Sequence, residues 1–276
     1  MKERLDVLLV KKGFFDNRTR AKAAIMEGRV YIGGRIYDKA GTMVKEDSEI
    51  ELKGDDCPYV GRGGYKLQKA LDTFVIDLRG CVAMDIGAST GGFTDCMLQR
   101  GAVKVYSVDV GYGQLDYKLR MDDRVVNMEK VNFRYFTPDM IDDKLDFASV
   151  DVSFISLSMI LPAAAPLLKD KACMVCLIKP QFEAGREQVG RGGIVKDPAV
   201  HVEVIQKAVG FAQDNGFVLY GLTYSPVTGA KGNIEYLMMI ETAAAAADEG
   251  IADPSDEDLQ ALAERVVREA HENFDK

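Results

Sequence analysis

The sequence predicts an α/β protein in two parts: a small α+β head, then a doubly wound, mostly parallel sheet of seven strands. Three observations carry that expectation. From residue 82 onward, strand-length apolar runs alternate with amphipathic helical stretches, the pattern of a parallel sheet covered on both faces. The first of these strands leads directly into a glycine-rich turn, Asp85-Ile-Gly-Ala-Ser-Thr-Gly-Gly-Phe-Thr-Asp95. The last two strands, at 217–224 and 234–241, have no helix between them, so one of them runs antiparallel to the rest.

Bulk properties set the frame. The chain has 276 residues, 47% hydrophobic and 28% charged, enough for one full core and a small module. It opens on Lys2-Glu3-Arg4 rather than an apolar signal core, and no apolar run reaches the roughly 18 to 20 residues of a membrane span. The stretch 159–168 is interrupted by Pro162 and Pro166. A cytoplasmic protein without a membrane partner is expected. Five cysteines are an odd number at low density, which fits a reducing compartment. Cys173-x-x-Cys176 has the spacing of a redox or zinc pair, but it lies in the apolar run 171–178, where strand residues three apart point to opposite faces. Buried core cysteines and no metal are therefore expected.

Charge is unevenly placed. Residues 1–35 hold nine Lys and Arg against four Asp and Glu, while 241–276 hold three against eleven, a net of −8 that equals the formal charge of the whole chain. The acidity belongs to the tail, so it does not argue against a basic head that meets phosphates.

The head reads as two helices followed by short strands. Leu5, Leu8 and Leu9 have helical spacing over 4–12, and Gly13 ends the helix. Asn17 caps a second helix, 18–27, closed by Gly28. Strands follow at 29–34, 35–37 and 49–52. The second helix brings Arg18, Lys22 and Arg29 toward one side, which by itself is equally a solvated basic face. The pattern Arg4-Leu5-Asp6, Asn17-Arg18-x-x-Ala21-x-x-x-Ile25, Gly28-x-Val30-x-Ile32-Gly33-Gly34 resembles the S4 RNA-binding domain, with Asn17 where a serine cap is usual. The resemblance implies docking of the two-helix face on structured RNA through Arg4, Arg18, Arg20, Lys22 and Arg29.

Turn formers in Lys53-Gly-Asp-Asp-Cys-Pro58 mark a connection, and the expected boundaries are 1–55 for the head, 56–61 for the linker, 62–242 for the main domain and 243–276 for an acidic extension. An amphipathic helix over 62–71 opens the main domain. Strands are expected at 82–86, 103–110, 124–128, 145–152 and 172–179 before the final pair, with a helix over 198–215. The extension ends in an amphipathic helix capped by Ser255 and carrying Leu259, Leu262, Val266 and Phe274, expected to pack on the domain.

Three readings compete for the turn formed by Asp85, Gly87, Ala88, Ser89, Thr90, Gly91, Gly92 and Phe93. A dinucleotide site wants Gly-x-Gly-x-x-Gly with a pyrophosphate at the helix start, whereas these glycines are spaced differently and Asp85 stands just before them. An S-adenosyl-L-methionine site has no phosphate, tolerates that carboxylate, and uses an acid such as Asp109, at the end of the next strand, to accept ribose hydroxyls. A hydrolase is the third, because Gly87-Ala-Ser-Thr-Gly91 matches a nucleophile elbow, with Ser89, Asp151 and His201 in the required order. The elbow should lie deeper in the sheet, and His201 falls near a helix start where exposure is the ordinary outcome.

Charged residues at strand ends decide the acceptor. Asp151 ends the fourth strand, Lys179 the fifth, Glu235 begins the last, and Lys66 precedes the first; strand C-termini meet at the ligand crevice in this fold. Lys66, Asp151, Lys179 and Glu235 resemble the Lys-Asp-Lys-Glu tetrad of FtsJ-type ribose 2′-O-methyltransferases. With the head, Ile178-Lys-Pro-Gln-Phe-Glu183 and Thr228-Gly-x-Lys-Gly-Asn-Ile-Glu235, the layout resembles the TlyA family, also labelled haemolysin A. The resemblance implies a Rossmann-like methyltransferase domain, S-adenosyl-L-methionine as cofactor, and methylation of cytidine 2′-hydroxyls in ribosomal RNA or ribosomal subunits, with no obligate protein partner evident. Lys179 is expected to act on the 2′-oxygen, oriented by Asp151. Arg62 and Arg191, with the glycine-rich basic loop 185–193, would extend the phosphate-contacting surface. A non-catalytic RNA-binding factor would need the head but no tetrad. A haemolysin would need a membrane-active segment, and the terminal helix has the wrong charge for anionic lipid.

Overall fold

The computed structural model describes residues 2–26, 28–52 and 57–274, and its packing divides into two units, Met1–Arg62 and Gly63–Lys276. Glu27, where the second helix was expected to end, residues 53–56 of the connection, and the last two residues of the acidic tail lie outside the described residues.

The first unit runs β1 (Lys2–Arg4), α1 (Leu5–Lys11), α2 (Arg18–Met26), β2 (Val30–Ile32), β3 (Arg35–Ile36), β4 (Met43–Lys45) and β5 (Ile50–Leu52). Leu5, Leu8 and Leu9 of α1 close on Ala21, Ala24 and Ile25 of α2, with Val30 and Val44 beneath. Asn17 caps α2 as its chemistry predicts: the Arg20 N–H donates to Asn17 Oδ1 at 2.9 Å. Strands β3, β2 and β5 form an antiparallel sheet, and β1 pairs with β4. The β1–β4 pair is not foreseen by pattern, because three-residue strands with one buried side chain between them show no alternation to read.

The second unit continues with α3 (Gly63–Thr73), β6 (Val82–Ile86), α4 (Gly92–Gln99), β7 (Lys104–Asp109), α5 (Tyr117–Arg120), β8 (Val125–Glu129), β9 (Leu145–Val150), α6 (Leu161–Ala164), β10 (Leu168–Ile178), α7 (Pro180–Glu183), α8 (Pro198–Gln213), β11 (Phe217–Tyr224), β12 (Tyr236–Thr242), α9 (Ala243–Glu249) and α10 (Asp256–Phe274). The seven-stranded order is β11-β12-β10-β9-β6-β7-β8. Strand β12 runs antiparallel to both neighbours while the others are parallel, as the missing crossover helix requires. Met84, Ile86, Val150, Met174, Ile178, Met238 and Ile240 form the core with Ile205 and Val209 of α8.

Cys176 is fully buried in the core and Cys173 only partly buried at its margin, both as free thiols, and burial pushes each thiol up to about 12. The extension packs on its domain. The Asp258 N–H donates to Ser255 Oγ at 3.2 Å, and Leu259, Ala263, Val266, Val267 and Ala270 face inward against α8 and β11. Helix α9 is an addition to the expected elements, formed by the alanine run at 243–247, alanine being the best helix former. Among the described residues no helix is long and apolar enough to cross a membrane.

Candidate active site

Sheet register builds the rim. Ile86 of β6 pairs with Val150 of β9, Val150 with Cys176 of β10, and Ile178 of β10 with Tyr236 of β12. Gly87, Asp151 and Lys179 therefore leave the sheet on the edge from which Glu235 enters it, one residue before β12 begins. Helix α3 buries Leu67, Ala70 and Leu71 against α4 and β12, which carries Lys66 over that edge.

The four charges meet there. Lys66 Nζ lies 2.7 Å from Glu235 Oε2 and 3.5 Å from Asp151 Oδ2. Lys179 Nζ lies 2.5 Å from Asp151 Oδ1 and donates to Ser153 Oγ at 3.2 Å. Lys66, Lys179 and Glu235 are only 9%, 8% and 2% exposed, so each charge depends on its partner, because an unpaired buried charge is costly. Burial works against the Lys66 ammonium, but the Asp151 and Glu235 carboxylates outweigh it and hold its pKa above the ordinary lysine value. Burial likewise pushes Asp151 up, and Lys66 and Lys179 together bring it below the ordinary aspartate value.

Two glycines make room for this cluster. Gly87 has φ +90, and a Cβ there would stand 2.5 Å from the Asp151 carbonyl oxygen; a Cβ at Gly229 would stand 1.9 Å from Glu235 Oε1. Asn233 accepts from Val195 N at 3.2 Å and donates to Gly193 O at 2.9 Å, while Lys231 Nζ donates to Gly192 O at 2.5 Å. The glycine-rich loop at 185–193 is thus stitched to the segment that delivers Glu235. Arg191 and Arg62 are exposed.

The glycine turn separates into an inner and an outer set. Asp85, Ala88, Gly91, Gly92 and Phe93 are buried, whereas Ser89 and Thr90 are exposed. Asp85 Oδ2 accepts from Thr94 N at 2.9 Å and Thr94 Oγ1 at 2.7 Å, taking the place of a side-chain cap on α4. Burial raises the Asp85 pKa to about 7 against the opposing Thr94 hydrogen bonds. Asp109 is half-buried at the end of β7; its Oδ2 accepts from Ser89 N at 2.8 Å and its Oδ1 from Gly111 N at 2.6 Å.

The hydrolase reading fails on geometry. His201 is buried rather than exposed, with Nδ1 2.6 Å from the Tyr236 hydroxyl and Nε2 3.0 Å from Val195 O, so both ring nitrogens are engaged. Asp151 serves the two lysines. Neither is placed to activate Ser89.

In the first unit Arg4, Arg18, Arg20 and Lys22 are exposed. The buried Asp6 carboxylate pairs with Arg4 Nε at 3.0 Å and Arg18 Nη2 at 2.8 Å, and the Arg4 hydrogen bond leads the effects that hold its pKa down to about 2. Arg29 is half-buried and does not continue the exposed row as expected.

Residues 59–242 match the FtsJ-like methyltransferase family, and residues 3–50 match the S4 domain. The chain belongs to the FtsJ-like methyltransferase family. It is 48% identical to the Bacillus subtilis protein named "Putative rRNA methyltransferase YqxC", over 99% of this chain and 95% of that one. It is 41% identical to the "16S/23S rRNA (cytidine-2'-O)-methyltransferase TlyA" of Mycobacterium tuberculosis, over 87% of this chain and 90% of that one. A solved structure, "Putative hemolysin from Streptococcus thermophilus", superposes with a TM-score of 0.77 at 48% identity, covering 99% of this chain and 97% of that one.

An FtsJ-like methyltransferase takes its methyl group from S-adenosyl-L-methionine, and the donor set fits that cofactor. Each Asp109 oxygen has one backbone partner and keeps acceptor capacity for a ribose hydroxyl, beside the exposed Ser89 and Thr90. Asp85 shapes the turn from within. Four residues at the rim carry no role in the sequence reading: Ser153, Phe154, Glu183 and Asn233. Glu183 and Asn233 stand inside the motifs at 178–183 and 228–235 that carry the family resemblance, and Ser153 is a hydroxyl two residues after a strand-end carboxylate; Phe154 gives no signal.

Proposed function

We propose that this FtsJ-like protein methylates a ribose 2′-hydroxyl of ribosomal RNA, at cytidine, in the cytoplasm, using S-adenosyl-L-methionine. The observation that carries the reading is the buried quartet in which Lys66 bridges Glu235 and Asp151 while Lys179 shares Asp151. Held by the 87–93 turn and Asp109, the cofactor would supply an electrophilic methyl group to the 2′-oxygen.

The chain's own residues supply the rest. A ribose hydroxyl is a weak nucleophile near neutral pH, so it must lose its proton as the new bond forms. Lys179, paired as an ammonium with Asp151, must first pass a proton to solvent; its amine then takes the 2′-hydroxyl proton, with Asp151 and Ser153 fixing the direction of Nζ. Lys66 is unsuited to the same task because two carboxylates hold it charged; it keeps Asp151 and Glu235 ionised and positioned. Ser89 and Asp109 hold the cofactor end of the crevice. Phe154 is 90% exposed two residues after Val152 with φ +64, and an aromatic face beside the reacting rim suits stacking of an extruded base.

Arg4, Arg18, Arg20 and Lys22 provide the phosphate contacts of the S4 unit, and Arg62 and Arg191 add to them. The relative in Mycobacterium tuberculosis named for cytidine-2′-O methylation of 16S and 23S rRNA supports the choice of acceptor. The test is incubation of the purified protein with labelled S-adenosyl-L-methionine and each ribosomal particle from a strain lacking the gene, followed by mapping of the methylated ribose. Label at cytidine 2′-oxygens is expected; RNA binding without label would leave only a binding factor.

A further inference from the structure

Glu183 takes no part in the chemistry above, yet it is a buried carboxylate at the rim. Its oxygens reach out of α7: Oε2 accepts from Ser156 Oγ at 2.6 Å and Oε1 from Leu157 N at 2.7 Å. Both donors belong to the loop that leaves β9 through Asp151. Glu183 itself stands four residues after Lys179, on the segment that leaves β10.

These two segments meet at their start, middle and end. Lys179 pairs with Asp151 and donates to Ser153, the Phe154 and Phe182 rings lie 5.0 Å apart, and Glu183 closes the far end. Between the fixed ends Phe154 holds φ +64, a left-handed conformation that is unfavourable for a bulky residue and persists only where its surroundings impose it. Burial raises the Glu183 pKa, and its two hydrogen bonds oppose that effect.

We propose that Glu183 is a positioning residue: it ties the 151–157 loop to α7, so that Asp151 stays aligned with Lys179 and Phe154 stays turned outward. It sets the rate of methyl transfer without touching cofactor or RNA. This inference rests on the methyl-transfer reading given above.

The chemistry of the clamp predicts a graded response. Glu183→Ala removes both acceptors and leaves the Leu157 N–H buried without its partner. Glu183→Gln keeps the shape but offers one acceptor oxygen for two donors. With the full chain at saturating cofactor and RNA, kcat is expected to fall about 30- to 100-fold for Glu183→Ala and about 3- to 10-fold for Glu183→Gln, since a misplacement near 1 Å costs up to about 100-fold. The Kd for S-adenosyl-L-methionine should stay within about twofold, because the clamp lies outside the Asp85–Asp109 turn.

Ser156→Ala is the second variant: it removes one donor to Glu183 and also the Oγ that accepts from the Ser158 N–H at 3.2 Å, a local cap, so Tm is read beside kcat. It should lower kcat by about 3- to 10-fold with little change in Tm, and the Glu183→Gln/Ser156→Ala pair should be no worse than the poorer single variant, as groups sharing one interaction are not additive. Folded Glu183→Gln and Ser156→Ala proteins with wild-type kcat would overturn the assignment. So would a loss that appears only in cofactor affinity or that merely follows the folded fraction. Wild type and Lys179→Met are measured alongside: a wild-type protein that transfers no methyl group sinks the methyl-transfer reading, a Lys179→Met protein that still turns over removes Lys179 from it, and an inactive Lys179→Met beside fully active Glu183 variants removes only the positioning role.

Discussion

Replacing Glu235 with Gln tests whether the quartet is a buried electrostatic unit or a set of independent surface charges. At 2.7 Å the Lys66–Glu235 attraction is about 6 kcal/mol at an effective dielectric near 20. Asp151, at 3.5 Å from Lys66, absorbs part of the loss but already serves Lys179. Breaking one side of a buried pair costs about 3–5 kcal/mol, and we take the lower end, about 3 kcal/mol. For a domain of this size that lowers Tm by about 6–12 °C. The loss should be equal at about pH 6 and pH 9: Lys66 is held above its ordinary value, so its contribution is complete below that value and is lost only as pH rises through the raised one. Thermal and urea unfolding of Glu235→Gln measure the loss directly. A Lys66→Met/Glu235→Leu replacement should recover most of the stability while remaining inactive. A Glu235→Gln protein destabilised by less than about 1 kcal/mol, as for an exposed pair, would mean that the four charges act independently.

Other outcomes follow from the same geometry. Asp85, with its pKa raised from 3.8 to about 7, favours the fold in its protonated form, so its contribution is complete below about pH 4 and is lost as pH rises toward 7, up to about 4 kcal/mol. Asp85→Asn should flatten that part of the stability profile, and an unchanged slope in urea midpoints would contradict it. Asp109→Ala should weaken S-adenosyl-L-methionine binding by about 10- to 100-fold in calorimetry, the scale of lost hydrogen bonds to a charged acceptor; an unchanged Kd would remove Asp109 from the cofactor site. Neutralising Arg20 and Lys22 should reduce the slope of log K against log salt for RNA binding by about 2, and an unaltered slope would show that this face does not meet phosphates.

Much of the fold was legible because its elements carry strong local signals. The strand-turn-helix at Val82–Gln99, the alternation through β10, and the missing helix between β11 and β12 each follow from periodicity or spacing. The quartet was legible for a topological reason: strand ends share one edge, and an antiparallel strand starts where its neighbours finish. Burial at single positions was not legible. Near the start of α8, His201 looks exposed in sequence, and only the packing of Tyr236 and Val195 against it shows otherwise. Arg29 turns partly inward for reasons its neighbours in sequence do not encode, and the Glu183 clamp joins residues 26 and 27 positions apart, a separation that leaves no mark on periodicity.

Methyl transfer depends most directly on Lys179. In a Lys179→Met protein, S-adenosyl-L-methionine should bind with a Kd within about twofold of wild type, while methyl transfer to ribosomal particles falls by at least about 100- to 10,000-fold, the range of a lost general base. Near-normal turnover in that variant, with the ribose 2′-oxygen still methylated, would show that Lys179 is not the base.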